Sequence, residues 1–144
     1  MKTKNRSFSF LEIENIDQLF YEVVNSEEWN ELQEKFNNAN DIYILGHGGN
    51  LAVADHAAID ISRLSNGTKN AMCPGSATVV TSLINDTDFD HWMHQWLKMV
   101  TSSKTKEQLK RSLVLGFSSS GTSRDLIKAF QWSYSNDLPM GVIT

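Results

Sequence analysis

The chain has 144 residues, with 13 Lys and Arg against 17 Asp and Glu and a formal charge of −4. That length suits one folding unit, and aromatic and aliphatic residues spread along all of it exclude a disordered chain. The acidic balance excludes nucleic-acid binding through charge, which needs a basic stripe. The single cysteine, Cys73, excludes an internal disulfide and agrees with a reducing cytosol.

Residues 1–10 carry Lys2, Lys4 and Arg6 with no long apolar run behind them. They read as a mobile N-terminus, neither a signal peptide nor a membrane span. Over residues 15–38, Ile16, Leu19, Phe20 and Val23, then Trp29, Leu32 and Phe36, fall at helical spacing. Ser26, followed by Glu27 and Glu28, is a candidate cap, so two helices or one broken helix are expected. Their apolar stripe needs cover from the domain or from another subunit.

The period then changes. Residues 41–46 (DIYILG) form a short apolar run ending in glycine, which suits a buried parallel strand. Gly46-His47-Gly48-Gly49-Asn50 follows, and a helix is predicted over 51–64. Asn66-Gly67 reads as a turn, 69–73 as a weak strand, and 76–84 as a helix begun near Pro74. A polar loop over 85–88 leads to a helix over 89–100, and 101–110 is a polar connection with a helical part at its end. Residues 112–117 repeat the strand theme, followed by Ser118-Ser119-Ser120-Gly121-Thr122-Ser123 and a helix to about 135. Residues 140–144 read as a further strand. No repeat or linker divides the chain, so a single unit over 1–144 is expected, with its core in 41–144.

Strands alternating with helices predict a parallel α/β sheet with right-handed crossovers. In such sheets ligands lie outside the carboxyl ends of the strands, and both unusual loops, 46–50 and 118–123, fall at that edge. The glycines let backbone approach a ligand closely, and the helix that follows turns its N–H groups and positive dipole end toward the loop. Four serine hydroxyls and Thr122 before a second helix start suit a phosphate ester. The bland alternatives are a plain turn and plain helix caps. No nucleotide cofactor is expected. Leu51 stands where the dinucleotide fingerprint has its third glycine, and 118–123 lacks the Gly-Lys end of a P-loop.

His56 and Asp60, at i and i+4, share a helix face as a metal pair, an acid–base pair or a hydrogen-bonded surface pair would. His91 and His94 lie among Trp92, Met93, Trp96, Leu97 and Met99, and that helix reads as packing. Asp86 and Asp88 read as solvated turn acids.

With these residues in view, the chain resembles a SIS (sugar isomerase) domain, in particular the bacterial phosphoheptose isomerases and their non-catalytic relatives. The carrying segments are residues 41–63 (DIYILGHGGNLAVADHAAIDISR), 82–89 (SLINDTDF) and 112–130 (SLVLGFSSSGTSRDLIKAF). The resemblance implies a flavodoxin-like three-layer fold, a parallel sheet flanked by helices, with N-terminal helices packed between subunits of a homo-oligomer, tetramer or dimer. It implies a phosphorylated sugar as ligand, with zinc as a candidate cofactor, beside the cytoplasmic protein without nucleic-acid or membrane binding that composition already implies. By position, His47, Gly48, Gly49 and Asn50 match the first substrate loop, and Asn85 and Asp86 an Asn-Asp substrate contact. Ser118, Ser119, Ser120 and Ser123 match phosphate-binding serines. His56 matches a zinc ligand, and Asp60 stands where the family has a metal-binding, catalytic glutamate. The implied reaction is aldose–ketose isomerisation of a seven-carbon sugar phosphate such as sedoheptulose 7-phosphate; the alternative is a module that binds a phosphosugar or protein partner without chemistry.

The chain departs from the family pattern at His47 (usually Asn), Asn50 (usually Ser) and Asp60 (one methylene shorter than Glu). The resemblance also implies C-terminal helices, bearing a glutamine and a histidine, beyond the position where this chain ends at Thr144. A truncated domain with weak or absent turnover is therefore expected.

Overall fold

The computed structural model describes residues 15–144, so the expected mobile N-terminus lies outside the described residues. Internal contacts separate the chain into a unit up to Glu34 and a unit Lys35–Thr144. In the first, α1 (Ile16–Val24) is followed by α2 (Glu27–Asn38), which runs across the boundary. Ser26 caps α2 as expected, its Oγ accepting from the Trp29 N–H at 3.1 Å, with Glu27 and Glu28 in the first turn. No residue of α1 is buried; Ile16, Leu19, Phe20 and Val23 all stand exposed.

The second unit holds β1 (Asp41–Leu45), α3 (Gly48–Leu64), β2 (Asn70–Met72), α4 (Ala77–Asp86) and α5 (Trp92–Thr101). It continues with α6 (Lys106–Lys110), β3 (Ser112–Phe117), α7 (Arg124–Ser135) and β4 (Met140–Ile143). The four strands form one sheet in the order β2-β1-β3-β4, and every pairing is parallel. The expected α/β architecture with a parallel sheet is therefore the one observed.

The sequence explains which strands are central. Every residue of β1 is buried, and β3 is buried through Gly116, as continuous apolar runs in parallel sheets are. The edge strand β4 leaves Val142 and Ile143 partly exposed. Tyr43, Leu45 and Val114 of the sheet meet Trp92, Met93, Trp96 and Leu97 of α5 and Leu126 and Ala129 of α7. Tyr43 and Trp96 pack edge to face at 6.2 Å. Full burial of each large side chain here stabilises by about 1.5–3 kcal/mol, which makes α5 a core helix, as its Trp and Met content suggests. Gly116 lets α7 pack close to β3: a Cβ there would lie 2.8 Å from Cζ of Phe130, so that ring would have to shift.

Two polar fastenings complete the scaffold. Lys69 donates to the carbonyls of Phe36, Asn37 and Ala39 at 2.8, 3.1 and 2.8 Å, satisfying the end of α2 where β1 begins. Thr105 and Gln108 form a capping box on α6.

Some boundaries differ from the periodicity reading. The helix α3 starts at Gly48 rather than 51, because His47 is extended as its N-cap and its carbonyl accepts from the Leu51 N–H at 3.2 Å. Gly48, Gly49 and Asn50 are thus in its first turn, where no apolar residue marks the start. Similarly, α4 runs to Asp86, which carries Asn85 and Asp86 into a helix end rather than a loop. Among the described residues no helix is long and apolar enough to cross a membrane.

Candidate functional site

From β1 the chain crosses to β2 on one side, whereas β3 leads to β4 on the other. The loops after β1 and β3 therefore diverge at a topological switch point, where parallel α/β sheets open a crevice for ligands.

The first loop is shaped by two glycines. A Cβ on Gly46 would lie 2.9 Å from the Asn50 backbone, so only glycine lets the strand end run against the first turn of α3. Gly48 then adopts φ +51°, a left-handed conformation that other residues enter at a cost. In the second loop, Ser118 Oγ accepts from the Gly121 N–H at 3.0 Å and Ser120 Oγ from the Thr122 N–H at 3.3 Å. Ser123 is the N-cap residue of α7, with its hydroxyl making no cap hydrogen bond.

The two loops meet. Asn50 Nδ2 donates to Ser119 Oγ at 3.1 Å, and His47 Nε2 lies 2.6 Å from Oδ2 of Asp125 in the first turn of α7. Beside the first of these contacts is a cavity of about 340 Å³, with Asn50, Ser118, Ser119 and Thr144 around Val53, Phe117 and Ile143. In Ser118, Ser119 and Ser120 alike the oxygen accepts a hydrogen bond, which leaves the hydroxyl hydrogen to donate. Three hydroxyl donors and the N-terminal ends of α3 and α7 thus lie at one sheet edge, an arrangement that attracts an anion.

Asp125, Trp92 and Phe89 belong to this region, and sequence reasoning missed all three. Asp125 is 1 % exposed. Its Oδ2 accepts from the Trp92 indole at 2.8 Å as well as meeting His47, and its Oδ1 accepts from the Leu126 N–H at 3.0 Å. The His47 ring lies near-parallel to Phe89 at 6.0 Å and edge-on to Trp92 at 6.3 Å. The one available signal was an acid in the first turn of a helix, which ordinarily means a cap.

The remaining candidates make no hydrogen bond to the joined loops among the described residues. Asn85 Nδ2 donates to Asp86 Oδ1 at 3.3 Å; both residues are exposed at the end of α4, and neither hydrogen-bonds to a loop. Asp60 follows Asn50 along α3 by a helical rise of about 15 Å. Arg63 donates to its Oδ1 at 2.9 Å, and His56 Nε2 stands 3.2 Å from its Oδ2. The Arg63 hydrogen bond holds the Asp60 carboxyl below the usual carboxylate range, which makes it a weaker base.

For zinc the fit is poor. Among the described residues no group of three or more His, Cys, Asp or Glu side chains is placed to hold a metal ion. His56 and Asp60 are two donors where a zinc site takes three or four from protein, and both Asp60 oxygens are already engaged.

His91 is clamped differently from either candidate pair. Its Nδ1 lies 2.6 Å from Asp88 Oδ1, and Lys128 Nζ lies 2.8 Å from its Nε2. His94 packs against it, its own Nδ1 buried with no hydrogen-bond partner among the described residues, and burial holds its pKa below the ordinary histidine value.

No family model and no curated protein matches the sequence. Solved structures do match in fold, two phosphoheptose isomerases among them. A phosphoheptose isomerase from Neisseria gonorrhoeae superposes with a TM-score of 0.70 at 22 % identity, over 92 % of this chain and 68 % of that one. A phosphoheptose isomerase from Francisella tularensis gives 0.65 at 17 % identity, over 92 % of this chain and 70 % of that one. The chain therefore shares the parallel α/β fold of these solved structures.

Proposed function

We propose that this chain binds a phosphorylated sugar in the crevice between the loops after β1 and β3, and that its enzymatic role is aldose–ketose isomerisation of a seven-carbon sugar phosphate, with sedoheptulose 7-phosphate as the ketose. The observation that carries the reading is the bond from Asn50 to Ser119, which joins the glycine loop to the serine loop and leaves three hydroxyl hydrogens to meet a phosphate. Each hydrogen bond to a charged group contributes about 1.5–3 kcal/mol, so the loops can anchor one end of the sugar and position the carbons at the other. The same reading carries a homo-oligomer in the cytoplasm.

Calorimetric titration with sedoheptulose 7-phosphate tests the binding step. Ser120→Ala and Ser123→Ala should each weaken it roughly 10- to 150-fold. Unchanged affinity in both variants discards the phosphate site. A turnover assay with the same compound, repeated on Asp60→Asn, tests the carboxylate that the resemblance places in the chemistry.

A second reading is favoured by the state of Asp60. With Arg63 and His56 on its two oxygens, it is poorly prepared to take a proton. A phosphosugar-binding module without turnover is the form this reading takes, and binding with no product in the turnover assay supports it.

A further inference from the structure

We infer that His47, held by Asp125, is the acid–base residue of the crevice and moves the proton between the two reacting carbons of the sugar; the inference rests on the phosphosugar reading above. The geometry that carries it is a half-exposed imidazole on a fully buried carboxylate, at the switch point and three residues before the asparagine that joins the loops.

The imidazole is fixed from several directions. Asp125 Oδ2 at 2.6 Å accepts from Nε2–H and so selects that tautomer, which leaves Nδ1 as the basic nitrogen. Nδ1 makes no hydrogen bond among the described residues. The carboxylate cannot swing away, because the Trp92 indole and the Leu126 amide hold both its oxygens. Phe89 and Trp92 set the plane of the ring. Burying a carboxylate costs several kcal/mol and returns little net stability, so this construction is better explained by control of the histidine than by folding. A carboxylate that orients an imidazole and stabilises its protonated form is a general device of proton-transfer sites.

The step balances without a co-reactant. In the open-chain aldose, His47 Nδ1 takes the proton from C2 as the C2–H bond breaks. That electron pair forms the C1–C2 double bond, the carbonyl pair moves onto O1, and Asp125 stabilises the imidazolium. The O2 proton passes to O1, the O2 pair forms the new carbonyl at C2, and the double-bond pair takes the proton back from Nδ1 at C1. The imidazole returns to its starting form and the product is the ketose. His47 is thereby a catalytic residue and Asp125 a positioning residue.

The experiment uses the full chain and sedoheptulose 7-phosphate in D2O. Proton NMR follows isomerisation and deuterium uptake at C1 and C2, and calorimetry follows binding of the same compound. His47→Gln keeps a side-chain N–H for Asp125 but removes the basic nitrogen. It should slow the reaction about 100-fold or more while affinity changes less than about tenfold. Asp125→Asn should slow it as well, and imidazole 15N shifts should then report loss of the single Nε2–H tautomer seen in the parent protein. If His47→Gln does not fold, His47→Asn takes its place. A His47 variant that isomerises at the parent rate overturns the inference. Parent protein that binds the sugar phosphate but neither isomerises it nor exchanges its protons also overturns it, and leaves the binding reading intact. Absence of binding by the parent protein removes that reading, and this inference with it.

Discussion

Asp125→Asn gives a quantitative test of the buried hub, separate from any chemistry. In the parent protein both carboxylate oxygens only accept: Oδ2 from Trp92 and His47, Oδ1 from the Leu126 amide. An asparagine of the same shape must turn its NH2 toward one of these donors. With the amide one way round, the Leu126 N–H is left facing a donor; with it the other way, the Trp92 indole is. Either arrangement leaves a buried N–H unpaired, at about 1–3 kcal/mol. Loss of the negative charge from the first turn of α7 adds about 0.3–1 kcal/mol. The expected destabilisation is about 1.3–4 kcal/mol, or a fall in melting temperature of roughly 4–15 °C for a chain of this size. Urea unfolding followed by tryptophan fluorescence measures it, and the slope with denaturant should stay constant. Trp92→Phe provides the double-mutant partner, and its cost should shrink by about 0.5–3 kcal/mol in the Asp125→Asn background. A loss below about 0.5 kcal/mol for Asp125→Asn, or strict additivity with Trp92→Phe, would refute the reasoning.

Other outcomes follow from single features. Gly46→Ala forces a methyl against the Asn50 backbone and should destabilise by about 1–3 kcal/mol in the same urea assay, with the loss of phosphosugar affinity read by calorimetry. His94 has its pKa lowered chiefly by burial and then by the positive charges of His91, Lys98 and Lys128. As pH falls below the ordinary histidine value of 6.5, the unfolded chain therefore takes up this proton before the folded one does, and stability drops. The stability of His94→Gln relative to the parent should rise between pH 7 and pH 5, as unfolding curves at each pH will report. Burial, helped by the charge of Asp55, pushes the Cys73 thiol up to about 12. Native protein at pH 8 should thus react with a disulfide reagent far more slowly than protein in urea.

The order and type of the elements were legible because burial imposes its period on the sequence. The apolar runs at 41–45 and 112–116 suited buried parallel strands and form the two central ones, and Trp92, Met93, Trp96 and Leu97 announced a packing helix. Helix starts without apolar residues were not legible: Gly48, Gly49 and Asn50 sit in the first turn of α3 although their composition reads as loop. The convergence of the glycine and serine loops followed from strand topology, and the Asn50 to Ser119 bond realises it. The contact of His47 with Asp125 was hidden, because these residues are 78 positions apart and only the crossover between β1 and β3 brings them together. Asn85 and Asp86 were placed by resemblance alone, with no period or partner in the sequence to say where their side chains lie.

The hydrogen bond between Asn50 and Ser119 also has a practical use. It links the first turn of one helix to the loop that begins another, so a molecule lodged beside it stiffens both segments and is linked by mass action to unfolding. An occupant at a hundred times its dissociation constant adds about 2.7 kcal/mol to the folded state. Melting curves taken across a panel of phosphate esters would then rank candidate substrates directly, before any enzymatic assay has been devised.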